Sequence, residues 1–272
     1  MNRITQIFAR SSDVSGGTLM PFITAGHPDL ATTAELLPAL QRAGAGICEI
    51  GFPFSDPIAD GPVIQASMTR ALAGGVHPAQ IFEMVQRLRD QLEMGLLAMV
   101  SYSIVFRLGP ETFVQQAAEA GFDGFIFPDL PLEEAGRMGR LVKDAGLISS
   151  LLIAPTTPPD RAEAIARASS GFIYLVARTG ITGAREDIPR DLADRIGRLR
   201  KVTDLPIAVG FGIARRDQVQ AVTSVADAAI VGSALVGRID ELAAEGKDAA
   251  GIAAEAEKFV ADLAGGLRHP TN

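Results

Sequence analysis

Short apolar runs alternate with longer amphipathic segments along nearly the whole chain, and this alternation constrains the fold more than any other feature. Each apolar run is too short for a helix of ordinary length, and turn residues or a glycine bound most of the runs. We therefore predict eight β-strands, at residues 19–23, 47–51, 96–100, 124–127, 148–153, 172–176, 206–209 and 228–231.

The segments between these runs have helical periodicity. They predict helices at residues 31–42, 78–92, 111–120, 132–144, 159–168, 191–202 and 215–222. A last helix, rich in Ala and Glu, is predicted within residues 249–265 and lies outside the repeat. An Ala-Gly pair closes three of the helices, since glycine suits the left-handed position at a helix end; the pairs are at 43–44, 120–121 and 145–146.

Eight strands alternating with helices predict an α/β fold with a parallel sheet, and eight units can close that sheet into a (β/α)8 TIM barrel. A doubly wound open sheet is the alternative, but it seldom needs eight regular units. No Ser- or Pro-rich linker divides the 272 residues. We expect a single domain over residues 1–272, with a barrel core at about 17–245 and additional terminal helices.

The composition argues against several classes of protein. A net charge of −7 and a pI near 5.1 disfavour a nucleic-acid or anionic-membrane partner. Cys48 is the only cysteine, so the chain has no internal disulfide, which fits a reducing compartment. Residues 1–13 lack an apolar signal core, and no stretch reaches the roughly 18 apolar residues of a membrane span. We predict a soluble, cytoplasmic protein.

Two carboxylates follow each other closely around the end of the second predicted strand. Strand alternation puts Glu49 on the same face as Ile47; if that face points into a barrel, desolvation raises the pKa of Glu49 and favours a proton donor. Asp60 lies eleven residues later, in a loop that three prolines stiffen. The alternatives are a structural Glu49 bonded to a neighbouring group and a simple turn at Asp60-Gly61. Cys48 should face away from this site.

Glycines recur in the loops after the last three predicted strands, where barrels often bind phosphate. Glycine lets the backbone approach a ligand, and the Ser233 hydroxyl with the following helix N-terminus can donate to a phosphate. The three segments are Thr179 to Gly183, which includes Thr182, then Gly210-Phe211-Gly212, and Gly232-Ser233. The segment at 177–190 is also long and polar enough to be a lid.

Two common mechanisms of carbon–carbon cleavage lack the residues that they need. None of the four lysines lies at the end of a predicted strand, so a Schiff-base mechanism is disfavoured. The three histidines are scattered without metal-ligand spacing, so we predict no metal site. If the chain cleaves a carbon–carbon bond, carboxylates must do the acid–base chemistry.

The fourteen residues from Glu49 to Pro62 read EIGFPFSDPIADGP, and this segment strongly resembles the signature of the tryptophan synthase alpha chain family. The resemblance is collinear over roughly residues 4 to 265. Supporting matches occur at 21–26, 128–131, 154–158, 174–176, 178–183, 210–213 and 232–236.

The resemblance implies a lyase of tryptophan biosynthesis that cleaves indole-3-glycerol phosphate to indole and glyceraldehyde 3-phosphate. By the same resemblance, Glu49 protonates the indole ring at C3 and later helps to deprotonate the glycerol hydroxyl, while Asp60 accepts the indole N–H. The family binds no cofactor on this chain, and pyridoxal phosphate is expected only on a partner beta chain in an α2β2 complex. The substrate-binding positions implied are Phe22, Tyr102, Tyr174 and Phe211 around the indole, and Thr182, Gly183, Gly212, Gly232 and Ser233 near the phosphate.

The sequence departs from the family pattern at two places. After the first strand the family usually has Ala-Gly-Asp-Pro, and this chain has His27 in place of the aspartate. After the third strand the family usually has an asparagine next to or near the tyrosine, and the segment from Ser101 to Val105 has none. That loop helps to contact the beta chain in the family. A stand-alone indole-releasing lyase, a non-catalytic activator of a beta chain and another phosphate-binding barrel therefore stay open as alternatives.

Overall fold

The computed structural model describes residues 1–13, 16–57, 60–177, 191–210 and 212–267. Eight parallel strands form a closed barrel in chain order, and β1 pairs with β8 to close it. The predicted TIM barrel is confirmed, and the closure excludes the open sheet. The strands are Thr18–Thr24 (β1), Ile47–Gly51 (β2), Gly95–Met99 (β3), Gly124–Phe127 (β4), Ile148–Ile153 (β5), Ile173–Val176 (β6), Ile207–Gly210 (β7) and Ala228–Val231 (β8).

Helices surround the barrel and also precede and follow it. They are Arg3–Asp13 (α1), Leu30–Arg42 (α2), Pro62–Ala73 (α3), Pro78–Leu88 (α4), Tyr102–Leu108 (α5), Pro110–Ala120 (α6), Leu132–Asp144 (α7), Pro159–Ala168 (α8), Leu192–Leu199 (α9), Arg216–Thr223 (α10), Ser233–Ala244 (α11) and Ala249–Ala264 (α12). Among the described residues, none of these helices is both long and apolar enough to cross a membrane.

Most predicted boundaries lie within a residue or two of the observed ones, and the larger differences have local causes. The helix predicted at 78–92 ends at Leu88 and continues as a 3₁₀ turn. There the Arg89 guanidinium donates to the carbonyl oxygens of Leu92 and Met94 and holds the chain out of the α-helical path. The strand predicted at 206–209 begins at Ile207 because Pro206 has no N–H to donate.

The strands are buried on both faces, as expected for a parallel sheet covered by helices. Ile47, Leu97 and Ile126 lie in the cluster that fills the barrel. Their neighbours Cys48, Leu96 and other side chains of the opposite parity lie in the larger cluster between the barrel and the helices. Glu49 shares the parity of Ile47 and is fully buried, so its carboxyl points into the barrel, and Cys48 faces away as predicted.

Helix α1 covers the end of the barrel at which the strands begin. Its buried Ile4 and Phe8 belong to the inner cluster, and the Phe8 ring lies 5.7 Å from that of Phe172. Arg3 forms an ion pair with Asp123 at 3.2 Å, and Asn2 Nδ2 donates to the Asp123 carbonyl. Because this end is covered, access to the interior is from the carboxyl ends of the strands.

The three Ala-Gly helix ends behave as the sequence predicts. Gly44, Gly121 and Gly146 have φ values of 95°, 92° and 76°, in the left-handed region that a side chain disfavours. Each directs the chain from a helix back into the next strand. These turns therefore set the spacing of the barrel units.

Candidate active site

A cavity opens at the carboxyl ends of the strands, where barrel enzymes hold their substrates. It contains about 630 Å³ of space, including its open mouth, which is within the range of small-molecule sites. Seven of the residues predicted from the sequence line it together: Phe22, Glu49, Asp60, Tyr174, Gly212, Gly232 and Ser233.

Glu49 occupies the floor of this cavity. It lies in the middle of β2, in register with Phe22 of β1 and Leu97 of β3, and has no exposed surface. Neither carboxyl oxygen has a hydrogen-bond partner among the described residues. Burial therefore raises the pKa of Glu49 well above its usual range, and the carboxyl holds its proton at neutral pH. The alternative of a structural carboxyl bonded to a neighbour finds no such neighbour in the described part of the chain.

Asp60 reaches the same cavity from the loop that precedes α3. Its backbone N–H donates to the Pro57 carbonyl at 3.0 Å, and Gly61 and Pro62 then begin the helix. Burial raises the pKa of Asp60 to about 6, so at neutral pH this carboxyl is ionised while Glu49 is protonated. The hydrogen bond closes a turn that ends at Asp60, and the Asp60 side chain lines the cavity. Two carboxyls with separated pKa values are suited to different acid–base roles.

Two aromatic rings form opposite walls, and a glycine makes room for each. A Cβ atom at Gly51 would lie 2.5 Å from Cζ of Phe22, and one at Gly210 would lie 2.9 Å from Oη of Tyr174. Real Cβ atoms do not approach so closely, so any other residue at either position would displace the ring. Burial first, and then the charges of Glu49 and Asp60, raise the pKa of Tyr174 well above its usual range, so the phenol stays neutral.

The part of the cavity at the N-terminus of α11 is suited to an anion. Ser233 begins α11, and no side chain among the described residues caps this helix end. Its first N–H groups are therefore available to a ligand, and the helix dipole favours negative charge there. Gly212 lies beside this helix end with a φ of 82°, a conformation that favours glycine. The cavity thus has two aromatic rings, two carboxyls, and amide donors at one helix N-terminus.

Comparisons with known proteins agree with this arrangement. Residues 8–264 match the model of the family described as tryptophan synthase alpha chain. The tryptophan synthase alpha chain of Acaryochloris marina is 46% identical over 242 residues, covering 89% of this chain and 91% of the relative. That of Rhodopirellula baltica is 41% identical over 272 residues, covering 99% and 97%.

The chain belongs to the tryptophan synthase alpha chain family. It is therefore a lyase of tryptophan biosynthesis that cleaves indole-3-glycerol phosphate to indole and glyceraldehyde 3-phosphate. The family needs no cofactor on this chain, and its pyridoxal phosphate is on the beta chain.

Solved structures of the family have the same barrel. The alpha subunit from Legionella pneumophila superposes with a TM-score of 0.88 at 34% identity, covering 98% of both chains. A tryptophan synthase structure from Mycobacterium tuberculosis gives a TM-score of 0.88 at 31% identity, also covering 98% of both chains.

The remaining predicted site residues do not line the cavity as described. Tyr102 begins α5, where its N–H donates to the Asp129 carboxylate and its ring lies 6.1 Å from that of Phe106. Tyr102 is not among the described residues that line the cavity, and it stays a predicted substrate contact. Thr182, Gly183, Phe211 and most of the predicted lid at 177–190 lie outside the described residues.

Several lining residues were not predicted. Met99, Leu152 and Ile230 lie at inward positions near the ends of β3, β5 and β8. Strand alternation was the signal that could have identified them, as it did for Glu49. Ile64 also lines the cavity but belongs to α3, a helix that the sequence pattern did not predict.

The departure at His27 lies behind the site and not in it. Its buried imidazole has Nε2 3.6 Å from the Asp240 carboxylate, which also pairs with Arg70. Burial lowers the pKa of His27, so the ring is neutral at neutral pH. No group of three or more His, Cys, Asp or Glu side chains in the described ranges is placed to hold a metal ion.

Proposed function

We propose that Glu49 and Asp60 are the acid–base residues of the cleavage. The proposal rests on one observation, which is that a fully buried Glu49 carboxyl without a described hydrogen-bond partner lines the same cavity as Asp60. Burial raises the pKa of Glu49 well above its usual range and that of Asp60 to about 6, so the two carboxyls are suited to different roles. In the first step Glu49 gives its proton to C3 of the indole. Asp60 accepts a hydrogen bond from the ring N–H and stabilises the positive charge of the indolenine.

The second step returns the proton to Glu49. The Glu49 carboxylate removes the proton of the glycerol hydroxyl next to the ring, and the new carbonyl forms as the carbon–carbon bond breaks. The bonding electrons pass into the indolenine and restore the aromatic indole. The products are indole and glyceraldehyde 3-phosphate, with no net gain or loss of protons. The ring acts as the electron sink, so the reaction needs no lysine.

We also propose the positions of the rest of the substrate. Phe22 and Tyr174 hold the indole between them, while Gly212, Gly232 and Ser233 bind the phosphate through backbone N–H groups and the Ser233 hydroxyl. Supporting this assignment, Gly232 and Ser233 line the cavity at the N-terminus of α11, which no side chain among the described residues caps. Thr182, Gly183 and Phe211 stay predicted substrate contacts.

Activity of two isosteric variants tests the acid–base roles. Glu49→Gln cannot donate or accept the transferred proton, and we expect kcat to fall by about 10²- to 10⁴-fold. Asp60→Asn should lower kcat as well, because a neutral amide stabilises the indolenine charge less. Binding of the phosphate end should remain in both variants. Turnover of Glu49→Gln at the wild-type rate would refute the assignment.

We further propose that a tryptophan synthase beta chain docks on α5, in an α2β2 complex. Phe106 and Leu108 on this helix are 66% and 48% exposed, an unusual exposure for large apolar side chains. A second cavity, lined by Ser101, Asp129 and Asp60, extends from the active site toward α5. It offers indole a path to such a partner. Because the segment from Ser101 to Val105 lacks the asparagine usual in the family, the affinity for the beta chain is the quantity to measure.

The experiment for the partner is a binding titration with the beta chain of the same organism. Phe106→Ser should weaken association at least tenfold, because anchoring aromatic residues dominate such interfaces. Indole release by the isolated variant should equal that of the wild type. If the variant associates as tightly as the wild type, α5 is not the docking surface. A wild-type chain that does not bind the beta chain would favour the stand-alone lyase.

We treat residues 1–272 as one domain, with the core at 17–245 and the C-terminal helix at 249–265. In support, α12 packs on α2 of the barrel, where Arg42 and Glu257 pair at 2.7 Å. The cytoplasmic location stays a prediction from the sequence.

A further inference from the structure

The loop that carries Asp60 is tied to the helix that follows it by one side chain. Nε2 of Gln65, on the first turn of α3, donates to the carbonyl oxygen of Asp60 at 2.9 Å and to that of Pro57 at 3.2 Å. The Asp60 N–H donates to the same Pro57 carbonyl at 3.0 Å. These three hydrogen bonds fix the backbone on both sides of the turn that presents the Asp60 carboxylate.

Helix α3 is in turn tied to the barrel by a buried pair of hydroxyls. The Oγ1 atom of Thr24, at the end of β1, lies 2.7 Å from Oγ of Ser67. The Ser67 hydroxyl donates to the Ile64 carbonyl at 2.7 Å, so the Thr24 hydroxyl donates to Ser67. Thr24 and Ser67 are 2% and 1% exposed, so water does not compete for this contact. Two polar contacts therefore connect Asp60 to β1: the Gln65–Asp60 hydrogen bond and the Thr24–Ser67 hydrogen bond.

We propose that Gln65 is a positioning residue for Asp60, and that the Thr24–Ser67 pair holds the helix on which Gln65 acts. Gln65 does not line the cavity, so it does not touch the substrate. This inference rests on the proposed role of Asp60 and concerns how that residue is held.

Loss of the Gln65 hydrogen bonds should strongly lower the reaction rate, because little else holds the loop that carries Asp60. The chain between Gly51 and Pro62 contains no helix or strand among its described residues, so regular backbone hydrogen bonds do not hold Asp60. A shift of about 1 Å in a reacting or charge-stabilising group can cost about 10²-fold in rate. The two bonds from Gln65 are what prevent such a shift.

The test variant is Gln65→Met, which keeps the length and apolar volume of the side chain and removes both donors. The matched control is Gln115→Met, the same change at an exposed glutamine of α6. We expect Gln65→Met to lower kcat by about 10- to 100-fold and to raise KM by about three- to tenfold, and Gln115→Met to behave as the wild type. Circular dichroism and thermal melting confirm that both variants fold.

The pH profile separates positioning from general destabilisation. In the wild type, burial raises the pKa of Asp60 to about 6. Glu49 and Tyr174 share the main cavity with it, and Asp56 and Asp129 line the second cavity beside it. A released loop exposes Asp60 to water, so the acidic limb of the kcat profile should move to lower pH in Gln65→Met. A lower kcat with an unmoved acidic limb would contradict positioning.

A double-mutant cycle then shows whether Gln65 acts through Asp60. The probe is indol-3-ylpropyl phosphate, which has the ring N–H and the phosphate but no hydroxyl next to the ring, so it cannot be cleaved. Gln65→Met should weaken its binding about three- to tenfold in the wild-type background and leave it unchanged in Asp60→Asn. An equal loss in both backgrounds, or no loss in either, overturns the inference.

Different results would refute the role of Asp60 and the role of Gln65. If Asp60→Asn cleaves substrate and binds the probe as the wild type does, the proposed role of Asp60 is wrong. If Asp60→Asn is impaired and Gln65→Met is not, only the positioning role is wrong. Ser67→Ala is a second test of positioning. It removes the hydrogen bond between Thr24 and Ser67, which holds α3 on β1, and leaves the residues of the Asp60 loop unchanged. It should lower kcat in the same direction, and wild-type kinetics would remove Thr24–Ser67 from the proposal.

Discussion

Replacing Glu49 by glutamine should stabilise the protein, and the gain should grow with pH. The carboxyl is fully buried without a described partner, so it stays protonated in the folded chain. In the unfolded chain it ionises with a pKa of about 4.3. Above that pH the unfolded state binds fewer protons than the folded state, so the free energy of unfolding falls as pH rises. The Gln variant has no proton to lose at this position.

The difference in proton binding between the folded and unfolded states sets how steeply the free energy of unfolding depends on pH. While the folded carboxyl keeps its proton and the unfolded one has lost it, the wild type loses about 1.4 kcal/mol per pH unit relative to the variant. The difference should therefore grow at this slope from the unfolded pKa up to the raised pKa of the folded carboxyl. The penalty is absent below the unfolded pKa and becomes constant once pH exceeds the folded pKa.

Urea unfolding of the two proteins at a series of pH values measures this difference. Glu83→Gln, the same substitution at an exposed position of α4, is the matched control and should run parallel to the wild type. If the Glu49→Gln curve also runs parallel to the wild type, Glu49 is ionised in the folded protein. The assignment of a resting proton donor would then be refuted.

Three further outcomes are expected. The kcat of the wild type should fall as pH drops through about 6, because burial raises the pKa of Asp60 to about 6 and protonation removes its charge; a flat profile down to about pH 5 would contradict this. Gly51→Ala should displace the Phe22 ring, destabilise the protein by about 1–3 kcal/mol in urea unfolding and raise KM, since its Cβ would meet that ring. Ile4→Ala should cost about 2–5 kcal/mol in the same assay while leaving kcat unchanged, because Ile4 packs inside the barrel far from its mouth; a loss of kcat without a loss of stability would argue against that separation.

The barrel and the location of Glu49 could be predicted because one signal determines both. The short apolar runs form strands, and successive side chains of a strand point to opposite faces. Ile47 and Glu49 are two residues apart, so both point into the barrel. The glycine ends of the helices strengthened the prediction, since Gly44 and its counterparts adopt the left-handed conformation in the structure. The strand faces and the helix ends depend on residues that are close together in the chain, so the sequence alone is enough to predict them.

Helices α3 and α5 could not be predicted in the same way, and with α3 part of the site was missed. α3 begins directly after a proline-rich loop, and its partly apolar surface packs against both α11 and β1, which weakens its periodicity. Ile64 was therefore not recognised as a lining residue. Such contacts depend on the tertiary structure, which no single segment reveals.

The position of Tyr102 shows the same limit at one residue. Ser101 Oγ and the Tyr102 N–H both donate to the Asp129 carboxylate, at 2.5 Å and 2.7 Å. These bonds start α5 and orient Tyr102 beside Phe106. The residue that decides this orientation is 27 positions away in the chain. A sequence match at Tyr102 alone therefore could not place its ring in the cavity.

A crystal structure with indol-3-ylpropyl phosphate bound is the most direct measurement of the central claim. We expect the indole between Phe22 and Tyr174, with its N–H within hydrogen-bond distance of Asp60 and its C3 facing the Glu49 carboxyl. The phosphate should lie at Gly212, Gly232 and the N-terminus of α11. A ring bound with Glu49 and Asp60 on the same edge, or a phosphate held elsewhere, would contradict the proposed chemistry.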